Sequence, residues 1–149
     1  VGEAGMSKNF IFTPLQNIQD IFVSTESYLE HLKQRSDAND FFQTATFMML
    51  DEENITRQYV NRVFLEQGME LSNILEVTTM DLLIEFAKID LGVACVIREF
   101  VEDELQKKEL VEVSLPLHFE PRQIGFACRK EDAGSTVIQN FYQICLQKG

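Results

Sequence analysis

The 149-residue sequence has no tryptophan, two histidines, three cysteines and seven glycines. The glycines are scattered, which excludes the glycine-rich loops that cradle phosphate groups. The cysteines share no close spacing and lie in apolar runs, which indicates buried thiols rather than disulfides or a metal centre. No apolar run reaches the ~18 residues of a membrane span, and residues 1–8 lack the pattern of a signal peptide. These absences predict a soluble, cytoplasmic protein with no membrane partner.

Positive charge is also scarce, because 13 Lys and Arg stand against 24 Asp and Glu, giving a net charge of −11. Binding the phosphate backbone of nucleic acids needs clustered basic residues, so this chain is not expected to form a nucleic-acid surface. Apolar residues make up 45% of the chain and charged residues 25%. That balance is typical of a globular domain with a proper core.

Strand-length apolar runs alternate with helical patterns for most of the chain. Strands are predicted at residues 10–13, 18–24, 46–50, 74–77, 93–97, 110–115 and 124–128. Helices are predicted at residues 26–34, 54–67, 79–90, 99–105 and 135–147, with a loop at 36–39. This alternation predicts an α/β fold with a mainly parallel sheet.

Local signals set several boundaries. Pro14 is expected to end the first strand or to mark a sheet edge. Asn54 is a plausible N-cap, and Gly68 closes the same helix. Thr78 and Asp81 (Thr78 as N-cap, Asp81 three residues later) resemble a capping box, and Gly92 is expected to stop that helix.

Catalytic and metal-binding patterns are weak. A nucleophile–base pair of Cys128 and His118 is conceivable, but a cysteine within an apolar strand is better explained as core packing. Residues 51–53 are adjacent acids that suit the start of a helix better than a metal site. The acidic run at 99–104 reads as a solvated face or a partner surface. We therefore predict no catalytic residue, no metal site, no cofactor and no enzyme activity.

Polar residues follow two of the predicted parallel strands. Asn54, Thr56 and Arg57 come after the strand at 46–50, and Thr78 and Thr79 come after the strand at 74–77. Small ligands of open α/β sheets bind where helix N-termini meet the carboxyl ends of strands. Ordinary helix capping, worth about 0.5–2 kcal/mol, explains the same residues without a ligand. Arg57 has a second alternative as well, an ion pair with Glu53 or Asp51.

The order and spacing of seven segments resemble the effector-binding domain of LysR-type transcriptional regulators over about residues 9–147. The segments are NFIFTPL (9–15), DIFV (20–23), MLDEENITR (49–57), Glu76, FAKIDLGVA (86–94), ELVEV (109–113) and PRQIGFACRK (121–130). Taken together and in order, these segments are a fairly specific pattern.

The resemblance implies a periplasmic-binding-protein-like (type 2) fold, in which two α/β subdomains joined by crossover strands enclose a ligand cleft. Residues 1–24 would be part of subdomain I and the first crossover, and 25–120 would be subdomain II. Residues 121–149 would be the second crossover and the C-terminal helix of subdomain I. The chain would thus be mainly the second, Rossmann-like subdomain. The opening units of the first are missing, so we expect an incomplete pocket.

Carried over to this sequence, the effector site of the family would include Asn54, Thr56, Arg57, Thr78, Thr79 and Ile97. Asp90 stands where the family usually has glycine, which changes the expected end of the helix at 79–90.

The function implied is a sensor that binds a small metabolite and controls DNA binding by a separate winged helix-turn-helix domain, which this chain lacks. The family forms homodimers or homotetramers. The alternative is a fragment of an extracytoplasmic solute-binding protein, which shares the fold but would be expected to carry a signal peptide.

Overall fold

The structure is a computed structural model that describes residues 10–35 and 41–129. The chain divides into two units. The described part of the first comprises residues 10–18 and 121–129, and the second is the continuous segment Gln19–Glu120. The predicted loop at 36–39 and the predicted helix at 135–147 lie outside the described residues.

The first unit contains a two-stranded antiparallel sheet of β1 (Phe10–Ile18) and β7 (Arg122–Arg129). Of the two alternatives for Pro14, the end of the strand is wrong, because β1 continues through it, whereas the sheet edge is confirmed, because β1 pairs with β7 alone in the described residues. The register shifts between Pro14 and Gln16. An irregularity of this kind accommodates a residue that has no N–H to donate. The strand predicted at 124–128 is confirmed within β7.

The second unit contains a five-stranded sheet in the order β4-β3-β5-β2-β6. Its strands are β2 (Asp20–Ser24), β3 (Phe47–Leu50), β4 (Ile74–Val77), β5 (Val93–Ile97) and β6 (Val111–Glu112). β3 runs parallel to β4 and β5, whereas β2 runs antiparallel to β5 and β6. The sheet is therefore mixed, not mainly parallel. Alternation of strands and helices does not reveal that β5 inserts between β3 and β2.

The helices are α1 (Glu26–Arg35), α2 (Phe41–Thr44), α3 (Ile55–Glu66), α4 (Met80–Lys88) and α5 (Glu102–Gln106). The predictions for α1 and α3 are confirmed. The single helix predicted at 99–105 is instead a 3₁₀ turn, Arg98–Phe100, followed by α5. The strand predicted at 110–115 is much shorter, since only β6 pairs with β2.

Two apolar clusters lie on the two faces of this sheet, because successive strand residues point to opposite sides. Ile21, Met48 and Val96 belong to one cluster, and Phe22 and Phe47 belong to the other. The second cluster also holds Cys95 as a buried thiol, in line with the prediction. Cys145 and the side chain of Cys128 lie outside what the structure describes. Every residue of β5 is buried, as its continuous apolar pattern predicts.

The two glycines expected to end helices have different roles. Gly68 follows α3 with φ of 69°, a left-handed conformation that suits glycine, so that prediction is confirmed. Gly92 does not stop α4, which ends four residues earlier. A Cβ atom on Gly92 would lie 2.5 Å from the carbonyl oxygen of Thr46. Glycine is therefore required at position 92, because the backbone of Thr46 lies too close to the start of β5 to leave room for a side chain.

Asp90 occupies the left-handed conformation after α4, with φ of 65°. Aspartate tolerates this conformation better than most residues because its side chain bonds nearby polar groups. Here the Thr25 hydroxyl donates to Asp90 Oδ1, and the Tyr28 amide donates to the same hydroxyl. This network ties the end of α4 to the start of α1.

Candidate functional site

The carboxyl ends of β3, β4 and β5 lie along one edge of the sheet, which we call the carboxyl rim. Leu50 pairs with Val77 in register, and β5 runs parallel to β3 on its other side. β2 runs the opposite way, so it begins at this rim, where Asp20 pairs with Ile97. The topology therefore brings the polar residues after β3, those after β4 and the end of β5 to the same edge of the unit.

Asn54 caps α3 with its side chain. The residue is extended, with φ of −74° and ψ of 135°, and its Oδ1 accepts hydrogen bonds from the amides of Thr56 at 2.8 Å and Arg57 at 3.4 Å. Such a cap satisfies amide groups that have no partner within the helix. The prediction of Asn54 as N-cap is confirmed. The side-chain oxygen of Asn54 therefore already accepts hydrogen bonds from the protein itself. The Thr56 side chain is half-buried.

Arg57 is buried, with 4% of its surface exposed. Its Nη1 donates to the carbonyl oxygen of Leu50 at 2.7 Å and lies 3.4 Å from Glu76 Oε1, and its Nε donates to Asn61 Oδ1 at 2.9 Å. Residues in the first turn of a helix lean back toward its N-terminus, which places this guanidinium over the end of β3. Arg57 therefore connects the first turn of α3 to the ends of β3 and β4 and stabilises the rim.

The acidic partners of Arg57 differ from the two considered from the sequence. It pairs with Glu76 at 3.4 Å and with Glu52 at 3.9 Å, rather than with Glu53 or Asp51. Glu76 is available because it lies on β4, next to β3 in the sheet. Asp51 instead accepts a hydrogen bond from the Glu53 amide in the turn before α3. The pairing with β4 depends on strand order, which the sequence does not give.

The start of α4 is more open. The N-cap is Thr79, not Thr78, and Thr79 Oγ1 accepts from the Leu82 amide at 3.2 Å. The prediction of a capping box starting at Thr78 is therefore wrong by one residue. The extended conformation before the helix lasts through Thr79, which has φ of −137°. Both threonines are exposed at the rim.

Ile97 ends β5 and is 6% exposed. The next residue, Arg98, stays half-exposed, and its amide donates to the Gln19 carbonyl oxygen at 2.8 Å. The Arg98 guanidinium bonds Glu112 Oε1 at 2.8 Å. This hydrogen bond and the charge of Glu112 raise the pKa of Arg98 above its ordinary value. Sequence reasoning stopped at Ile97 and missed Arg98, although a charged residue directly after a buried strand is a visible signal.

Beside this ion pair, a groove of about 590 Å³ opens within the second unit. It is lined by Gln19, Asp20, Ile21, Phe22, Arg98, Glu112, Val113, Ser114, Leu115, Leu117, His118 and Phe119. One wall is the start of β2, and the other is the segment after β6. Gln19 spans the two, because its side-chain amide donates to the carbonyl oxygens of Asp20 and Phe119.

The acidic run at 99–104 serves the fold in part. Glu99 accepts a hydrogen bond from the Gln19 amide at 3.1 Å, and Glu104 pairs with Lys88 at 3.4 Å. Burial lowers the pKa of Lys88, but hydrogen bonds and charges from Glu104 and Glu85 outweigh it, so the pKa is raised. Among residues 10–35 and 41–129, no group of three or more His, Cys, Asp or Glu side chains is arranged to hold a metal ion.

His118 lies at the surface, where its ring bonds Glu120 at 2.9 Å. Its backbone amide and carbonyl both bond the Gln67 side chain. The arrangement fixes the segment before β7 against α3. In the part of the chain that the structure describes, no helix is both long and apolar enough to cross a membrane.

The LysR substrate binding domain model matches residues 2–149, so the chain belongs to that family. No curated protein matches it. Among solved structures, the regulatory domain of NMB2055 (MetR), a LysR family regulator from N. meningitidis, is 17% identical with a TM-score of 0.72, covering 100% of this chain and 68% of that one. The regulatory domain of Synechocystis PCC6803 CcmR in complex with 2-PG is 15% identical with a TM-score of 0.75, covering 99% and 71%.

A third similar structure is the effector binding domain of QuiR in complex with shikimate. It is 16% identical with a TM-score of 0.71, covering 99% of this chain and 69% of that one. Identities this low show the fold alone. The fold is the periplasmic-binding-protein-like (type 2) α/β fold of LysR regulatory domains, as the family resemblance implies.

Proposed function

We propose that this chain is the effector-sensing part of a LysR-type transcriptional regulator, without enzyme activity. The observation that carries the proposal is the carboxyl rim, where exposed hydroxyls and a helix N-terminus lie side by side at the ends of parallel strands. Rims of this kind bind small polar solutes in open α/β sheets. QuiR and CcmR domains of the same fold are described in complex with shikimate and 2-PG, which supports a small-molecule effector here.

The proposed effector site comprises Asn54, Thr56, Arg57, Thr78, Thr79 and Ile97. Within it, Asn54 and Arg57 hold the rim in shape, because both already bond the backbone around α3. Thr78 and Thr79 are exposed and offer hydroxyls to the ligand. Residues 25–120 form subdomain II in this proposal. Residues 1–24 and 121–149 supply the crossover strands and parts of subdomain I.

The regulator would act by population shift in the cytoplasm. Its partners would be copies of itself, as a homodimer or homotetramer, and DNA through a separate winged helix-turn-helix domain. An effector changes the balance between two arrangements only to the extent that it binds one of them more tightly. In this proposal the effector binds one of the two arrangements of the regulator more tightly than the other.

The test compares Thr79→Val with Thr79→Ser in the regulator that carries this domain, reading effector-dependent transcription from its target promoter. Valine keeps the size of threonine but removes the hydroxyl, so we expect the half-maximal effector concentration to rise about tenfold, the loss of roughly one hydrogen bond. Thr79→Ser restores the hydroxyl and the response. An unchanged response in Thr79→Val would remove Thr79 from the effector site.

A further inference from the structure

The groove beside Arg98 and Glu112 has the features of a second ligand site. Its lining comes entirely from Gln19–Glu120, so it is complete within one unit. Its volume of about 590 Å³ is within the range of small-molecule pockets. Leu115 and Leu117 contribute half-buried apolar surface to the wall that follows β6.

Arg98 and Glu112 form an ion pair in the lining of the groove. Arg98 Nη2 and Glu112 Oε1 lie 2.8 Å apart, and the two side chains are 47% and 39% exposed. Ion pairs with this exposure contribute little to stability, since water screens them and both side chains are flexible. They can therefore separate to admit a ligand at small cost, provided that the ligand offers a new partner to each of them.

A ligand with a single charge does not meet that condition. An anion would take Arg98 and leave Glu112 unpaired in a groove that already contains the Asp20 carboxylate. A cation would take Glu112 and leave Arg98 unpaired. A ligand with an ammonium and a carboxylate attached to the same carbon atom replaces both partners at once, and guanidinium binds carboxylate in a two-pronged geometry.

We propose that this groove binds a small zwitterion of the α-amino acid class. The ligand carboxylate pairs with Arg98, its ammonium pairs with Glu112, and an aliphatic side chain lies along Leu115 and Leu117. The inference goes beyond the proposed function, because it requires neither a regulatory response nor a second subdomain.

The test is a titration of the ¹⁵N-labelled 149-residue chain followed by amide chemical shifts. Three probes share one aliphatic side chain: L-leucine, N-acetyl-L-leucine, which lacks the ammonium, and L-leucinamide, which lacks the carboxylate. We expect L-leucine to bind with a Kd on the order of 1 mM, shifting the amides of residues 19–22, 111–115 and 117–119, and each analogue to bind at least about tenfold more weakly.

Two variants test which side chain pairs with the carboxylate of the ligand and which pairs with its ammonium. Arg98→Gln should weaken L-leucine binding about tenfold and abolish its advantage over L-leucinamide, because the carboxylate loses its partner. Glu112→Gln should abolish the advantage over N-acetyl-L-leucine. Glu66→Gln, an exposed change on α3 outside the groove, should leave all three affinities unchanged, and the amide spectra establish that each variant is folded.

Three results would overturn the inference. N-acetyl-L-leucine binding as tightly as L-leucine would make the groove an anion site. L-leucinamide binding as tightly would make it a cation site. No groove shifts with about 50 mM L-leucine, well above a millimolar Kd, would mean that amino acids do not bind there. The proposed function fails separately, through the promoter response of Thr79→Val, so the two failures are distinguishable.

Discussion

The helices α3 and α4 begin at the same rim, yet their first residues have different surroundings. At α3, Asn54 accepts two backbone hydrogen bonds and Arg57 is buried against Leu50, Asn61 and Glu76. At α4, Thr79 accepts one hydrogen bond and is exposed. The polar groups of the first site are held by the protein itself, whereas those of the second remain accessible to a ligand.

This difference separates stability from binding at neighbouring positions. A buried polar group that loses its partner costs its full desolvation energy, whereas an exposed one returns to water. Substitutions at the start of α3 should therefore act first on folding, and substitutions at the start of α4 should act first on ligand response. The variants below test this contrast, beginning with the largest effect.

Arg57→Met should destabilise the chain by about 2–4 kcal/mol, because the variant leaves the Leu50 carbonyl oxygen and the Asn61 side chain without their charged donor. Urea unfolding followed by circular dichroism measures the free energy of unfolding. Arg62→Met, an exposed change on the same helix, is the matched control and should stay within about 0.5 kcal/mol. A loss below about 1 kcal/mol for Arg57→Met would mean that this guanidinium is not a structural anchor.

Asn54→Ala should cost about 1–2 kcal/mol, the upper part of the range for lost N-caps, because two amides lose their acceptor. Asn54→Asp keeps an acceptor oxygen and places a negative charge at the helix N-terminus, so it should recover most of the stability. The same unfolding experiment measures both. Equal losses in the two variants would show that side-chain packing, rather than capping, sets the contribution of Asn54.

Thr79→Val should cost about 0.5–1 kcal/mol, because one exposed cap is lost. Its larger effect should be on the effector response described above. Melting temperature and promoter response are measured on the same variant. A small loss of stability with a large loss of effector response would distinguish the start of α4 from the start of α3. A fall of many degrees in the melting temperature with an unchanged response would reduce Thr79 to an ordinary cap.

Local chemistry made the helices and strands around these sites predictable. Asn54 and Gly68 bound α3 as expected, because capping and left-handed turns depend on a few adjacent residues. The buried strand β5 followed from its unbroken apolar run. The location of the rim also followed, since parallel strands place their carboxyl ends together.

Long-range partners were not predictable from the same signals. The pairing of Arg57 with Glu76 requires that β4 lie next to β3, and the pairing of Arg98 with Glu112 requires that β2 lie between β5 and β6. The sequence predicts a helix end at Gly92, whereas the close approach of the Thr46 carbonyl oxygen explains this glycine. In each case the deciding contact joins segments that are distant in sequence.

Thr78→Val should have the smallest effect on folding, within about 0.5 kcal/mol, because Thr78 is exposed and Thr79 is the cap of α4. Ser72→Ala, another exposed hydroxyl change in the same unit, is the matched control for stability. If the rim at α4 is the ligand-facing part, Thr78→Val should still raise the half-maximal effector concentration in the regulator, whereas Ser72→Ala should not. Equal effector responses from these two variants would mean that Thr78 does not contact the effector. The ligand-facing part of α4 would then be the Thr79 hydroxyl alone.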